Sequence, residues 1–205
     1  MLASSKRTWC LAGLAAGLAL TLPGLPGAPG FHTQAGGLPA EDTDKVQKLL
    51  GLIAERLAVA PEVARTKWNT HAAIEDLPRE AQITRSVAPA AQEYGLASAC
   101  ASAFFQAQID ASKIVQRALH QEWMARGQPP FQKVPDLAKE IRPVLDRLTP
   151  ALLKALAEAA PVLAKAKADD DAQLESWIRA RLAADGAAAQ AALIPLRSGG
   201  ACRPK

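Results

Sequence analysis

Aromatic residues are scarce in this sequence and β-branched ones never run together for the length of a strand. Phe, Trp and Tyr make up 4% of 205 residues, while alanine and leucine dominate. The shortage argues against a sheet-rich fold, and the abundance of strong helix formers points to an all-α one. Histidine is limited to His32, His71 and His120, far apart in sequence, and HExxH, P-loop, GxGxxG and GxSxG patterns are absent. Metallohydrolase, nucleotide-binding and serine-hydrolase chemistry therefore have little support, and neither a metal nor a cofactor is expected. No basic block exists either: 24 basic and 20 acidic residues are interspersed, without aromatic-basic interleaving. Nucleic acid is a poor candidate partner.

A long hydrophobic run is also missing. The apolar stretch Trp9 to Leu22 has fourteen residues, short of the roughly 20 a membrane span requires. With Lys6 and Arg7 before it, the stretch reads as the core of a secretory leader over 1–30. Ala28 and Gly30 fit a cleavage before Phe31; Thr33 and Ala35, with cleavage before Gly36, are the alternative. A retained anchor is disfavoured because Pro23, Pro26 and Pro29 break the helix where a span would continue. Arg7, Thr8 and Trp9 ahead of Cys10 are not the small and aliphatic residues of a lipid-attachment site. Loss of the leader would take the net charge from +4 to about +2, since it carries Lys6 and Arg7 and no acid. The mature protein is expected in the periplasm or secreted, with no membrane association after cleavage.

Three cysteines are few, and only Cys100 and Cys202 would remain after cleavage. An even count in an exported chain invites a disulfide, which on the loop-entropy model would stabilise by at most about 4–5 kcal/mol. Two unpaired thiols, one on an alanine-rich helix face and one in the tail, are the other reading.

What is present is helical periodicity punctuated by caps and prolines. A first helix is expected from Asp42 or Thr43 to about Trp68, with Val46, Leu49, Leu50, Ile53 and Leu57 on its apolar face and a bend at Pro61. Asp76 caps a second, Pro78 sits in its first turn, Pro89 kinks it, and Gly95 ends it after Tyr94. The third, Ser98 to Arg126, closes at Gly127. After the connector Gln128 to Pro135, Asp136 caps a fourth, interrupted at Pro143 and Pro150 and running to about Ala168. Asp169 to Asp171 cap a fifth, Ala172 to about Ala184, and from Gly186 a mobile alanine-rich tail is expected.

Seven polar residues stand out between Arg56 and Gln116. Arg56 and Lys67 are eleven residues apart, three turns and about 20° off register, so both point from one face. Asp76, Arg79 and Glu80 open the second helix, and Ser112 and Gln116 share a face of the third at i and i+4. Buried cations without partners are costly, so a cavity lined this way suits a small dianion.

Ala54-Glu55-Arg56-Leu57, Lys67-Trp68, Ile74-Glu75-Asp76 with Arg79-Glu80, Phe104 to Ile109, and Ser112-Lys113-Ile114-Val115-Gln116 resemble the all-helical chorismate mutases. The leader and the long C-terminal half resemble the exported, gamma class of that family. The resemblance covers about residues 45–147. It implies a mutase domain over 31–148, followed by a helical extension and flexible tail over 149–205, and a homodimer. The implied reaction is the Claisen rearrangement of chorismate to prephenate in aromatic amino acid biosynthesis, with no cofactor. Bond making and breaking are concerted, so such a site needs no nucleophile. It holds a dicarboxylate in a chair-like conformer and stabilises charge on the breaking ether oxygen.

By resemblance, Lys67 and Gln116 are the catalytic pair at that oxygen, and Arg56 grips one carboxylate. Asp76, through its backbone, and Glu80 engage the ring hydroxyl, Arg79 braces the site, and Ser112 assists a carboxylate. Arg142 is expected on the second carboxylate, with Arg147 as the fallback. The alternative is a non-catalytic periplasmic helical protein binding a small dicarboxylate, against which the presence of both Lys67 and Gln116 counts.

Overall fold

Pro39 starts the first helix. In the computed structural model, which describes residues 39–165, 176, 186–197 and 200–202, α1 spans Ala40–Leu57. It begins before the expected caps Asp42 and Thr43. The Thr43 N–H donates to the Pro39 carbonyl at 2.8 Å, and Glu41 and Asp42 become acids of the first turn. There they favour the helix dipole instead of closing its end. The leader and, apart from the single residue Ser176, the helix expected over 172–184 lie outside the described residues.

The bend expected at Pro61 is a break. Ala58 and Val59 separate α1 from α2, Ala60–Thr70, and Pro61 falls in the first turn of α2, where its missing N–H costs little. Ala58 and Val59 both keep right-handed dihedrals, so the helical phase survives the break approximately. The third helix, α3, spans Leu77–Glu93 with Asp76 as its cap and Pro89 inside, and Gly95 beyond its end takes φ 71°. Gly127 (φ 63°) ends α4, Ser98–Arg126, a rod of about 43 Å at 1.5 Å per residue.

The proline-rich connector is tied to α2. Asn69 exchanges two 2.8 Å hydrogen bonds with the backbone of Phe131, Thr66 donates to the Pro135 carbonyl at 2.8 Å, and Arg65 stacks over the Phe131 ring. Trp68, His120, Trp123 and Phe131 pack edge to face against this contact. The chain is thereby delivered to Asp136, which caps a single π turn, Leu137–Ile141, leading directly into α5, Arg142–Lys165. Pro143 lacks the N–H that an α-helical register would use there, consistent with the widened turn. Contrary to expectation, Pro150 does not interrupt the helix, and neither does Pro161.

All regular elements among the described residues are helical. Leu49, Leu50 and Ile53 of α1, Phe104 and Phe105 of α4, and Leu152, Leu153, Leu156 and Leu163 of α5 fill one core, each no more than 1% exposed. The division drawn at 148/149 falls inside α5, whose two sides share that core.

The segment from Gly186, expected to be a mobile tail, forms α6, Gly186–Leu193, and a 3-10 turn, Ile194–Leu196. Alanine's small side chain explains the difference: Ala188, Ala189 and Ala192 are buried against α4, where Gln108 donates to the Ala192 carbonyl at 2.9 Å. Cys100 and Cys202 are joined in a disulfide that fastens this segment to the start of α4. Gly200 is needed there, because a Cβ would stand 2.6 Å from the carbonyl oxygens of Ile194 and Pro195.

Candidate active site

A cleft of about 130 Å³ opens between α1, α2, α3, α4 and the start of α5. All eight residues picked from the sequence line it: Arg56, Lys67, Asp76, Arg79, Glu80, Ser112, Gln116 and Arg142. Arg147 is exposed and does not line it, so of the two arginines proposed for the second carboxylate the structure brings only Arg142 to the cleft. Its cations are Arg56, Lys67, Arg79, Lys113 and Arg142, against the carboxylates of Asp76 and Glu80. The wall is therefore short of negative charge.

The three most buried polar groups define its floor. Arg56 is 8% exposed, and its Nε has no hydrogen-bond partner among the described residues. Burial, then the neighbouring Arg79, pushes its guanidinium pKa down to about 10, with Asp146 acting the other way. The Phe105 ring lies 5.9 Å from it. Lys67, 9% exposed, donates from Nζ to the Ile74 carbonyl at 2.6 Å. Burial lowers its ammonium below the ordinary lysine value, against the pull of Asp76, Glu80 and Glu75. Gln116, 4% exposed, donates from Nε2 to Ser112 Oγ at 3.0 Å, and its Oε1 has no partner among the described residues. Unsatisfied buried groups of this kind are costly, and a polar ligand relieves them.

The rim is already partnered. Asp76 accepts on Oδ1 from the Arg79 N–H at 3.2 Å, while its own N–H donates to Glu80 Oε1 at 3.2 Å. Arg79 bonds Asp146 at 3.0 Å, and the Arg142 guanidinium stands 4.0 Å from Asp76 Oδ2. Sequence reading missed three contributors: Lys113, Asp146 and the Ile74 carbonyl. Asp146 had a signal, since it lies one helical turn beyond Arg142 on the same face. Lys113 stood inside a quoted motif with no role attached, and a backbone carbonyl has no residue-type signature at all.

Residues 44–117 match the family model described as chorismate mutase type II. The secreted chorismate mutase of Yersinia pestis is 29% identical over 128 residues, 62% of this chain and 68% of that protein. The crystal structure of the Burkholderia phymatum chorismate mutase superposes with a TM-score of 0.69 at 32% identity, covering 78% of this chain and 99% of that one. For the Burkholderia thailandensis enzyme the TM-score is 0.66 at 36% identity, over 73% and 96%. The chain belongs to the chorismate mutase family. Nothing in these comparisons supports the non-catalytic binder. Seven of the eight site residues fall within the segment matching the chorismate mutase model, and Arg142 lies beyond it. Arg142 is brought back to the cleft by the connector bound to α2 and the Asp136 cap.

Proposed function

We propose that this cleft holds chorismate in its compact, chair-like conformer and that Arg56, Lys67, Gln116 and Arg142 carry the rearrangement. The activity is that of the family: chorismate is converted to prephenate. Because the reaction is an intramolecular, concerted shift, the protein's task is to restrict the substrate's conformation and to stabilise charge developing on the ether oxygen. The observation that carries the reading is the convergence of two buried cations, Arg56 and Lys67, with the buried amide of Gln116 in one cleft.

Arg56 meets one carboxylate with donors that include its unpaired Nε, and Arg142 meets the second from the rim. Lys67 Nζ, fixed by the Ile74 carbonyl through one of its three protons, keeps two for a carboxylate and the ether oxygen. Gln116 is the second donor to that oxygen. Turning its amide by 180° keeps the Ser112 contact, with the hydroxyl now donating, and directs Nε2 into the cleft. Glu80 accepts the single proton of the ring hydroxyl, Asp76 adjoins that hydroxyl through its backbone, and Arg79, anchored on Asp146, braces the site. Ser112 serves the carboxylate only when it is not spent on Gln116.

All eight residues come from one chain, so a homodimer, which we also infer, is not needed to complete the site. Export fits the secreted relatives, and the Cys100–Cys202 disulfide suits an oxidising compartment. The experiment is to follow chorismate loss by ultraviolet absorbance without metal or cofactor and to identify the product. Saturable formation of prephenate, with a specific rate independent of protein concentration, is expected. No turnover by folded protein would overturn the reading.

A further inference from the structure

The chain contains an internal control for Glu80. Glu140 makes the same backward bond, accepting on Oε1 from the Asp136 N–H at 2.8 Å, from an exposed position and with no lysine bonded to it among the described residues. Closing the helix end by this means requires no lysine. Glu80 nevertheless has one: Lys113 Nζ on α4 donates to Glu80 Oε2 at 2.9 Å, and both side chains are only 13% exposed. Lys113 is held in turn by Asp110 at 3.0 Å.

Burial acts to lower the Lys113 ammonium, but its bonds to Glu80 and Asp110 outweigh it, and its pKa stands above the ordinary lysine value. The side chain is thus a fixed positive charge. With Oε1 on the Asp76 N–H and Oε2 on Lys113, the Glu80 carboxylate has neither rotational freedom nor access to bulk water through those lone pairs. Its remaining acceptor positions are left for a ligand in the cleft.

We propose that Lys113 is a positioning residue of this mutase: it pins the Glu80 carboxylate at the angle at which it receives the substrate's ring hydroxyl, and acts on the reaction only through Glu80. The proposal rests on the reading of Glu80 given above.

The test is a double-substitution cycle, K113M, E80Q and the pair, read in kcat and KM on the whole protein with folding checked by circular dichroism. K113M keeps the apolar stem and removes the charge; loss of one charge-assisted hydrogen bond is expected to lower kcat/KM about tenfold. K113R should recover most of that, and adding K113M to E80Q should change the rate by less than about twofold. Two results would overturn the proposal: parental kinetics in K113M, or a further loss of about tenfold when K113M is added to E80Q, which would place Lys113 on the substrate itself. Parental kinetics in E80Q would instead remove the role assigned to Glu80, and with it the basis of the proposal. Should K113M not fold, K113Q replaces it in the same cycle.

Discussion

Two segments of this chain begin with the same pattern, Asp76-Leu77-Pro78-Arg79-Glu80 and Asp136-Leu137-Ala138-Lys139-Glu140, and use it the same way. In each, the Asp side chain accepts from N–H groups of the new helix and the Glu four residues on accepts from the N–H of that Asp. Their surroundings separate them. The first cap faces the cleft with Lys113 and Lys67 across from it; the second is in solvent, where backbone donors Lys139 and Ala138 hold the Asp136 carboxyl below its ordinary value. Reciprocal capping of this kind is thus a local solution to the orphan N–H groups at a helix start. Whether it becomes part of a site depends on which cations the fold sets against its carboxylates.

The largest effect that would bear on this contrast lies at the cation the first cap faces. Lys67→Ala should lower kcat at least about a hundredfold with the fold retained, the scale of a lost oxyanion-type donor. The same charge sets a pH dependence. Lys67 works protonated and burial has lowered its pKa, so kcat/KM should fall with rising pH, on a limb below the ordinary lysine value of 10.5 to which Arg56, pushed down to about 10, also contributes. A profile flat to that value would contradict it.

Arg142, one residue beyond the π turn that follows the second cap, should matter through KM: Arg142→Ala is expected to raise it about thirtyfold, as for a lost charged contact. Arg147→Ala should stay within about twofold. Equal effects would mean that the cap does not aim Arg142. Smaller still is the direct comparison of the two glutamates. Glu80→Ala should cost kcat/KM about tenfold, whereas Glu140→Ala should remain within about twofold; reversed sizes would break the distinction drawn here.

The residues of the cleft were legible in the sequence because their spacing survives folding. Arg56 and Lys67 stand on two helices instead of one, yet the break at Ala58 and Val59 keeps right-handed dihedrals, and both side chains still reach the cleft. Ser112 and Gln116 keep their i, i+4 relation, visible as a 3.0 Å hydrogen bond. Less legible was whatever depends on contacts across the chain. The pairing of Lys113 with Glu80 spans 33 positions, and nothing in Lys113's local sequence signals it. The same holds for α6: an alanine-rich stretch after Gly186 has little helical pattern of its own, and its order comes from burial on α4 and from the disulfide. The π turn lies between the cap at Asp136 and Pro143, which has no backbone donor, a conjunction that helical periodicity does not encode.

The most direct measurement is a crystal structure with a non-reacting dicarboxylate analogue of the chair-like conformer. It should show one carboxylate on Arg56, the other on Arg142, and the ether-equivalent oxygen within hydrogen-bond reach of both Lys67 Nζ and Gln116 Nε2. An analogue seated instead in the second cleft, between Gln82, Glu93 and Tyr94 of the α3 side and Thr149 of α5, would contradict the assignment of the active site.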